Sequence, residues 1–425
     1  MITETSNADL SRQRLLLNLM LVYLLIFTSG SLRYNQSDDK FLVIGLLASL
    51  TVWLIYTDRK ISGSFLIYCI TFSGFLLSLS VYTDGSLTLA SVISTTMKLM
   101  MAYLIIKTVG ERFTKTYIDV VVFLAAISLL GYFTDVLHLF DGLVHKLPVI
   151  RGRGYDGVFY IFRDTFHPYR NQSIFFEPGA YQAFLNSALF IMFFASPNIG
   201  RKRQWVYIIV LITALITVFS TTGFMIFLCL FALFLYKSEI ASFYGKLILV
   251  GLGILIVFVF SAQFYTRFVE KIDDYLAANE YDFSWSANTR SSQLKADIRV
   301  IKKHIFGLGQ RKYLEEFRLA GRTADNKGSS NGVTRIVAVY GLPFAVFIFG
   351  SYYWGLRRLL ADHLLASAAF IMFLMFLGGE SYYISTPYSF SIIAGAFVIA
   401  SLRKKEEVFM DGSVKSGYSS SPASP

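Results

Sequence analysis

The chain has 425 residues, of which 55% are hydrophobic and 16% are charged, whereas an ordinary soluble domain carries about 25% charged residues. The 40 phenylalanines and 26 tyrosines, set against 8 prolines, exclude a disordered chain because so many large apolar side chains must be buried. The formal net charge of +11 is typical of a membrane protein with basic cytoplasmic loops, although nucleic acid binding is another common reason for such a charge. Cys69 and Cys229 both lie inside apolar runs, so neither a disulfide framework nor a metal-binding spacing is indicated.

Long apolar runs without the alternation of a barrel strand predict an all-α membrane protein with about twelve spanning helices. Residues 1–137 hold five predicted spans, near 15–30, 41–56, 64–82, 88–106 and 116–137. Residues 179–262 hold four more, near 179–196, 205–219, 221–236 and 247–262, and residues 333–402 hold the last three, near 333–355, 364–380 and 386–402. Between these groups lie two long loops, 138–178 and 263–332, which we expect to contain short amphipathic helices. The tail 403–425 is expected to be disordered because it has little apolar surface to bury.

Basic residues predict the orientation of the bundle. They cluster on one set of connections: Arg12 and Arg14, 58–60, 107–115, 201–203, 237–246, 357–358 and 403–405. By the positive-inside rule this side is the cytoplasm, so both termini are predicted to be cytoplasmic and the two long loops to face the opposite side. The first span is followed by no small-residue cleavage site, so we expect it to be retained.

The second loop contains a predicted amphipathic helix. Possible N-caps at 288–292 precede apolar residues at helical spacing, and Gly307 supplies a stop. The apolar positions are Leu294, Ile298, Ile301 and Ile305, and the polar face carries Lys295, Arg299, Lys302 and Lys303. Such a helix suits the outer headgroup layer of a membrane, and packing on a small core of the loop itself is an equally good interpretation.

The densest group of candidate functional residues is 170–180, which leads directly into the sixth span. Pro178 is well tolerated at a helix start, so Glu177 is predicted at the helix N-terminus, where the macrodipole favours its negative form. One interpretation is a general base or a group that binds a substrate hydroxyl. The other is a helix-end carboxylate that is stabilised by backbone amides and paired with Arg170.

Arginine is the second theme of the outer loops. A guanidinium group matches phosphate oxygens in a planar fork and stays charged. The arginines at or near the predicted outer rim are Arg151, Arg153, Arg170, Arg290, Arg311 and Arg335. If some of them converge, they could hold a diphosphate; taken singly, each is equally explained as solvated or bound to lipid headgroups.

Several motifs are missing from the sequence. There is no Gly-rich loop followed by Lys-Ser or Lys-Thr to hold a nucleotide, and His138, His145 and His167 do not stand at metal-ligand spacing. We therefore predict neither a metal nor another cofactor. Lys98 lies near the middle of the fourth span, where a charge is costly. Asp119 is its predicted partner, in a buried ion pair or in a path for protons or ions.

Several stretches between about 170 and 345 form a recognisable set. They are Arg170 followed by Ile174-Phe175-Phe176-Glu177-Pro178-Gly179, Ser220-Thr221-Thr222-Gly223, Asn288-Thr289-Arg290, 302–309, Ser330-Asn331-Gly332 and 338–342. Together these stretches resemble the bacterial polysaccharide polymerases of the Wzy type and the wider O-antigen polymerase and ligase superfamily. The ligase branch often has His-Asn where this chain has Ser330-Asn331, which favours a polymerase.

The resemblance implies a metal-independent glycosyltransferase of the bacterial inner membrane whose active site faces the periplasm. Such a protein takes a glycan from undecaprenyl diphosphate and joins it to the terminal sugar of another carrier-linked repeat of O-antigen, capsule or exopolysaccharide. The implied partners are the carrier-linked donor and acceptor, membrane lipid and a chain-length-regulating membrane protein, without nucleic acid.

Together with the residue patterns, the resemblance predicts three groups of site residues. The catalytic group is Glu177, Arg170 and Arg290. The diphosphate-binding group is Arg151, Arg153, Arg311 and Arg335. The acceptor-binding group is Asn171, Tyr181 and Asn331. Two alternatives remain: an O-antigen ligase, and a flippase or transporter of lipid-linked oligosaccharide, for which the sequence offers no convincing internal repeat.

Overall fold

The computed structural model describes residues 7–35, 39–136, 145–150, 153–158, 161–164, 170–195, 199–237, 251, 290–321 and 328–399, and these residues are mostly helical. The helices before the first long loop are α1 (Asn7–Phe27), α2 (Leu32–Asn35), α3 (Lys40–Tyr56), α4 (Gly63–Tyr82), α5 (Leu89–Val109) and α6 (Phe113–Val136). Those between the two long loops are α7 (Pro178–Phe194), α8 (Arg201–Val218) and α9 (Thr221–Lys237). The rest are α10 (Arg290–Lys303), α11 (Gly309–Gly321), α12 (Gly332–Tyr340), α13 (Leu342–Leu359), α14 (His363–Gly379) and α15 (Pro387–Ile399).

The described residues are mostly helical, which is consistent with the all-α prediction, and each predicted span within the described ranges coincides with helix for most of its length. The number of spans stays a prediction. The ninth predicted span, 247–262, and the tail 403–425 lie outside the described residues. Two helical stretches, Gly63–Tyr82 and Leu89–Thr134, are long and apolar enough to cross a membrane. Large apolar side chains are also exposed on the outside of the bundle, among them Ile67 on α4, Leu130 on α6 and Val346 on α13.

Helix α7 lies at the centre of the bundle. It packs against α6, α8, α9 and α14, and nearly all of its residues from Pro178 to Met192 are buried. Because α7 starts immediately after Glu177, the predicted motif is joined directly to the most enclosed helix. The position of the motif is therefore set by the packing of four other helices.

Charged residues tie helices together at the end that we predicted to be cytoplasmic. The ion pairs there join Asp58 to Lys107, Asp119 to Arg203 and Asp362 to Lys237. At the opposite end of α4 and α5, the turn 83–88 contacts α11. Helices α10 and α12 pack against α11, so these three helices, called the outer segment after the predicted orientation, lie at that end of the bundle.

The predicted pairing of Lys98 with Asp119 is wrong. Asp119 Oδ1 accepts hydrogen bonds from Arg203 Nη2 and from the Tyr207 hydroxyl, both at 2.9 Å. The two residues lie at different depths in the bundle. Asp119 lies near the short turn between α5 and α6, whereas Lys98 lies near the middle of α5, away from that turn. Lys98 instead faces a cavity that it shares with Asp39.

The tenth predicted span is not a single helix. It is divided at Gly341, which has a φ of 86° and is followed by Pro343 near the start of α13. Gly341 also touches the Phe306 backbone, and the Leu342 amide donates to the Ile305 carbonyl at 2.8 Å. Helix α12 has only 9 residues, too few to cross a bilayer, so Arg335 belongs to the outer segment.

The described part of the first long loop contains strands, where we had expected amphipathic helices. Three strands, β1 (His145–Ile150), β2 (Arg153–Val158) and β3 (Ile161–Asp164), form an antiparallel sheet in the order β1-β2-β3. Their Val, Ile, Phe and Tyr residues favour a pleated strand. Tyr155 of β2 is buried and its hydroxyl donates to the Phe176 carbonyl at 3.0 Å, so the sheet rests on the segment that precedes α7.

Helix α10 starts close to where the sequence predicted it, but a different face is buried. Ala296 and Val300 pack with Tyr313, Phe317 and other residues of α11 and α12 in a small separate core. Two members of the predicted apolar face, Ile298 and Ile305, are exposed. The helix therefore packs on a core of the loop itself, and part of its apolar surface remains on the outside.

Candidate functional site

The segment 170–177 is held in a groove of the bundle before it enters α7. The Leu32 amide donates to the Ile174 carbonyl at 2.9 Å, and the Phe176 amide donates to the Gly30 carbonyl at 3.2 Å. These bonds make a short antiparallel bridge with the corner between α1 and α2. The backbone of the motif is thus fixed by residues that are about 140 positions away in sequence.

Two predicted acceptor-binding residues, Asn171 and Tyr181, are buried where the segment 170–177 and the start of α7 meet the bundle. Asn171 Nδ2 donates to Ser128 Oγ at 3.1 Å and to Thr217 Oγ1 at 2.9 Å, and the Tyr181 hydroxyl lies 2.8 Å from Ser128 Oγ. Their exposed fractions are 2% and 0%. Because neither side chain reaches the surface, both hold the motif in place and have no surface to offer to a sugar.

Glu177 takes the N-cap position of α7 with extended backbone angles, but its side chain makes no capping hydrogen bond. The capping hydrogen bond to the helix amides, which the alternative interpretation would include, is therefore not formed. The residue is partly exposed, so its carboxylate can meet a ligand. The segment fixes the backbone of Glu177 and leaves its side chain at the surface of the site.

Glu380 is a second carboxylate at this place, and the sequence interpretation missed it. It caps the C-terminus of α14, where its amide donates to the Phe376 carbonyl at 2.8 Å. Its Oε1 lies against Gly179 in the first turn of α7, in the space where a Cβ atom would be. A signal was present: a carboxylate at the negative end of a helix dipole is unfavourable, so an acidic residue at the end of an apolar helix needs a local reason.

Tyr382 lies near the two carboxylates and lines a neighbouring cavity. Its ring packs edge-on against Phe176, with centroids 4.8 Å apart. Burial raises the pKa of its hydroxyl well above the usual value, and the negative charges of Glu380 and Glu177 raise it further. At neutral pH the hydroxyl therefore keeps its proton and can donate a hydrogen bond.

Arg335 reaches the same junction from the outer segment. Its Nη1 donates to Ser381 Oγ and to the Ser329 carbonyl, both at 3.2 Å. Gly332, one turn earlier on α12, lies so close to Ser381 that an added Cβ would be 2.8 Å from the Ser381 Cα. The arginine is thus held beside the residue that follows Glu380.

A buried carboxylate, Asp297, organises the outer segment around Arg335. It is fully buried and accepts hydrogen bonds from the Tyr313 hydroxyl at 2.8 Å and from Thr334 Oγ1 at 2.5 Å. Burial raises the pKa of Asp297, while its hydrogen bonds and the charge of Arg335 act in the opposite direction. The guanidinium of Arg335 also lies over the Tyr313 ring at 5.8 Å.

A polar cavity of about 280 Å³ opens beside Tyr382. Its lining comes from the α1–α2 corner, from the start of α3, from α5 and from the turn after α14. The lining residues are Thr28, Ser29, Gly30, Tyr34, Asn35, Asp39, Lys98, Tyr382, Ser385 and Thr386. Lys98 is the cationic residue among them, and the sequence interpretation had given it a different role.

The remaining predicted arginines are not all gathered at one point. Arg170 is half-buried at the start of the segment 170–177. Arg311 is exposed near the turn 83–88, where its amide donates to the Ser86 carbonyl at 3.4 Å. Arg290 starts α10, one turn before Gln293, whose side chain accepts from the Ser330 amide at 2.9 Å. The side chains of Arg290 and Arg153 and the whole of Arg151 lie outside the described residues.

Asn331 has a structural role at the start of α12. Its Oδ1 accepts from the amides of Val333 and Thr334 at 3.1 and 3.3 Å, which is the usual contact of an N-cap residue. Within the described ranges, no three His, Cys, Asp or Glu residues are grouped so that they could hold a metal ion.

No family model matches the chain, and no curated protein or solved structure is detectably similar to it.

Proposed function

We propose that this protein is a membrane-embedded glycosyltransferase that polymerises repeat units carried on undecaprenyl diphosphate. The observation that carries the proposal is the meeting of Glu177 and Glu380 at the start of α7, with Arg335 beside Ser381. An acidic and basic group of this kind, built from two helix ends and an outer segment, can bind a hydroxyl and a diphosphate together. The polysaccharide is O-antigen, capsule or exopolysaccharide, as the motif at 170–179 implies.

The proposed location is the bacterial inner membrane, with about twelve spans, of which the tenth starts at Leu342. Apolar side chains on the outside of the bundle, such as Ile67 and Leu130, support this because soluble proteins rarely expose large apolar patches. The ion pairs at one end of the bundle and the contacts of α11 with the turn 83–88 at the other end support a cytoplasmic and a periplasmic face.

The proposed reaction exchanges one bond at the anomeric carbon of the donor glycan. The bond from this carbon to the diphosphate oxygen breaks, and its electron pair leaves with the undecaprenyl diphosphate. The acceptor hydroxyl oxygen bonds to the same carbon, and its proton passes to Glu177 or Glu380. Arg335, with Arg170 and Arg290 as further candidates, stabilises the negative charge that develops on the leaving group.

The test uses purified full-length protein in detergent and carrier-linked repeat units isolated from cells that make the polysaccharide. We expect the wild type to convert single units into longer chains, and Glu177→Gln or Glu380→Gln to reduce the rate by about 100-fold or more. Glu315→Gln is the matched control, because Glu315 is exposed on α11. Near-normal chain lengths from both variants would overturn the proposal.

A second measurement separates the polymerase from its two alternatives. A transporter would give no longer chains in detergent, because it moves its substrate across a membrane and forms no glycosidic bond. For the ligase alternative, the gene is deleted from producing cells. Loss of a ligase leaves long polymer on the carrier, whereas loss of a polymerase leaves single repeat units on the final acceptor. We expect single units.

A further inference from the structure

We infer that the cavity beside Tyr382 is a phosphate-binding site for a polyprenyl phosphate or diphosphate, with Lys98 and Asn35 as its principal donors. The inference rests on the proposed function only for the polyprenyl identity of the ligand. The preference for an oxyanion comes from the cavity itself.

Lys98 brings its ammonium group to the wall of the cavity. Among the described residues, none makes a hydrogen bond or an ion pair with its ammonium group. Asp39 also lines the cavity, but its own oxygens already accept hydrogen bonds from the Tyr34 hydroxyl and from Ser94 Oγ, each at 2.9 Å. A cation held inside a helical bundle in this way calls for an anionic partner.

Asn35 supplies a second donor. Its Nδ2 is buried, and no described residue accepts a hydrogen bond from it. A buried donor without an acceptor costs about 1 to 3 kcal/mol, so the cavity favours a ligand that brings acceptor oxygens. Tyr382 adds a hydroxyl that stays protonated at neutral pH.

The other hydroxyls at the cavity wall are largely occupied within the protein. Ser29 Oγ donates to the Leu25 carbonyl at 2.6 Å and accepts from the Tyr388 amide at 2.8 Å. Thr28 Oγ1 donates to the Leu24 carbonyl at 2.8 Å. The hydrogen-bonding groups that the cavity offers to a ligand are therefore mainly donors. Donors alone suit a phosphate, whereas a neutral sugar needs both donors and acceptors.

Helices α3 and α5, which contribute to the cavity wall, also carry apolar side chains on the outside of the bundle. Phe41, two residues after Asp39 on α3, and Ile93 on α5 have exposed side chains on the outside of the bundle. In the proposed membrane these side chains contact lipid. An amphiphile could then place its phosphate beside Lys98 while its polyprenyl chain remains among lipid tails. Tyr382 connects this position to Glu177 and Glu380.

The test measures binding of farnesyl diphosphate to purified full-length protein in lipid nanodiscs. We expect saturable binding by the wild type, and binding that is about 10-fold or more weaker in Lys98→Gln, because a charge-assisted contact is lost. Lys98→Arg should restore most of the affinity. Lys107→Gln is the matched control on the same helix, at the end where Lys107 lies 3.7 Å from Asp58. Asn35→Asp, which adds a negative charge, should also weaken binding.

Competition identifies the anion that the site prefers. Inorganic pyrophosphate should displace farnesyl diphosphate, and glucuronate at the same concentration should not. Displacement by glucuronate alone, equal binding by Lys98→Gln and the wild type, or no saturable binding by the wild type would each overturn the inference. A wild type that binds the diphosphate through Lys98 but forms no polymer would uphold this site and remove the proposed function.

Discussion

The carboxylate of Glu380 occupies the space beside Gly179 in which any other residue would place its Cβ. The end of α14 and the start of α7 thus meet at Glu380 and Gly179. This contact brings Glu380 to the motif that contains Glu177, although the two residues are about 200 positions apart.

The close contact at Gly179 predicts that Gly179→Ala displaces Glu380. We expect the polymerisation rate to fall by about 10- to 100-fold, because small misplacements of reacting groups are costly. Folding should be affected little, since alanine favours a helix by up to about 1 kcal/mol over glycine. The control is Gly378→Ala on α14, where an added Cβ would meet nothing within 4 Å. Equal rates for both variants would show that the position of Glu380 does not matter.

Gly309 predicts how the outer segment is attached to the bundle. Its φ is 70°, and an added Cβ would lie 2.7 Å from Ser86 Cβ. Gly85 has a φ of 71° with nothing within 4 Å, so Gly85→Ala tests backbone strain alone, about 1 to 3 kcal/mol. Gly309→Ala should be more destabilising in thermal unfolding and should expose α10 and α11 to protease. Similar protease resistance in the two variants would contradict the contact.

Asp297 predicts a pH dependence of the outer segment. Because burial raises its pKa in the folded protein above the ordinary value of 3.8, its stabilising contribution is present below that value and is lost as the pH rises through the raised pKa. Asp297→Asn removes this loss. The stability of the variant relative to the wild type, measured by thermal unfolding, should therefore increase as the pH rises above 3.8 and through the raised pKa.

Asp84→Asn is the control for this pH series. The hydrogen bond from Lys312 lowers the pKa of the exposed Asp84 carboxyl. Its contribution is therefore present above 3.8 and is lost as the pH falls through the lowered pKa, which is the opposite direction. A pH trend of the same sign in both variants would contradict the assignment to Asp297.

The proposed orientation predicts which residues a membrane-impermeant maleimide can label. In a variant with Cys69 and Cys229 replaced by serine, Ser91→Cys at the start of α5 should be labelled in spheroplasts. Lys60→Cys, at the other end of α4 and α5, should be labelled only after the membrane is permeabilised. Both native residues are exposed in the structure. Labelling in the reverse order would invert the proposed topology.

The sequence by itself determined the helical architecture, because long apolar runs leave the backbone few ways to satisfy its hydrogen bonds. It also determined that Glu177 stands at a helix start, since the local rules for proline and helix ends act over only a few residues. The sequence did not predict the division of the tenth span at Gly341. The glycine is needed for close contact with the Phe306 backbone, about 35 positions earlier in the chain, and only the tertiary structure shows that contact.

Only the tertiary structure decided which side chains meet. Glu380 joins Glu177 because α14 ends against the first turn of α7, and Asp119 pairs with Arg203 because of its depth in the bundle. The burial of Asn171 and Tyr181 also depends on Ser128, which lies on α6. Contacts of this kind are set by how whole helices pack, and the spacing of residues along one chain carries no direct record of that packing.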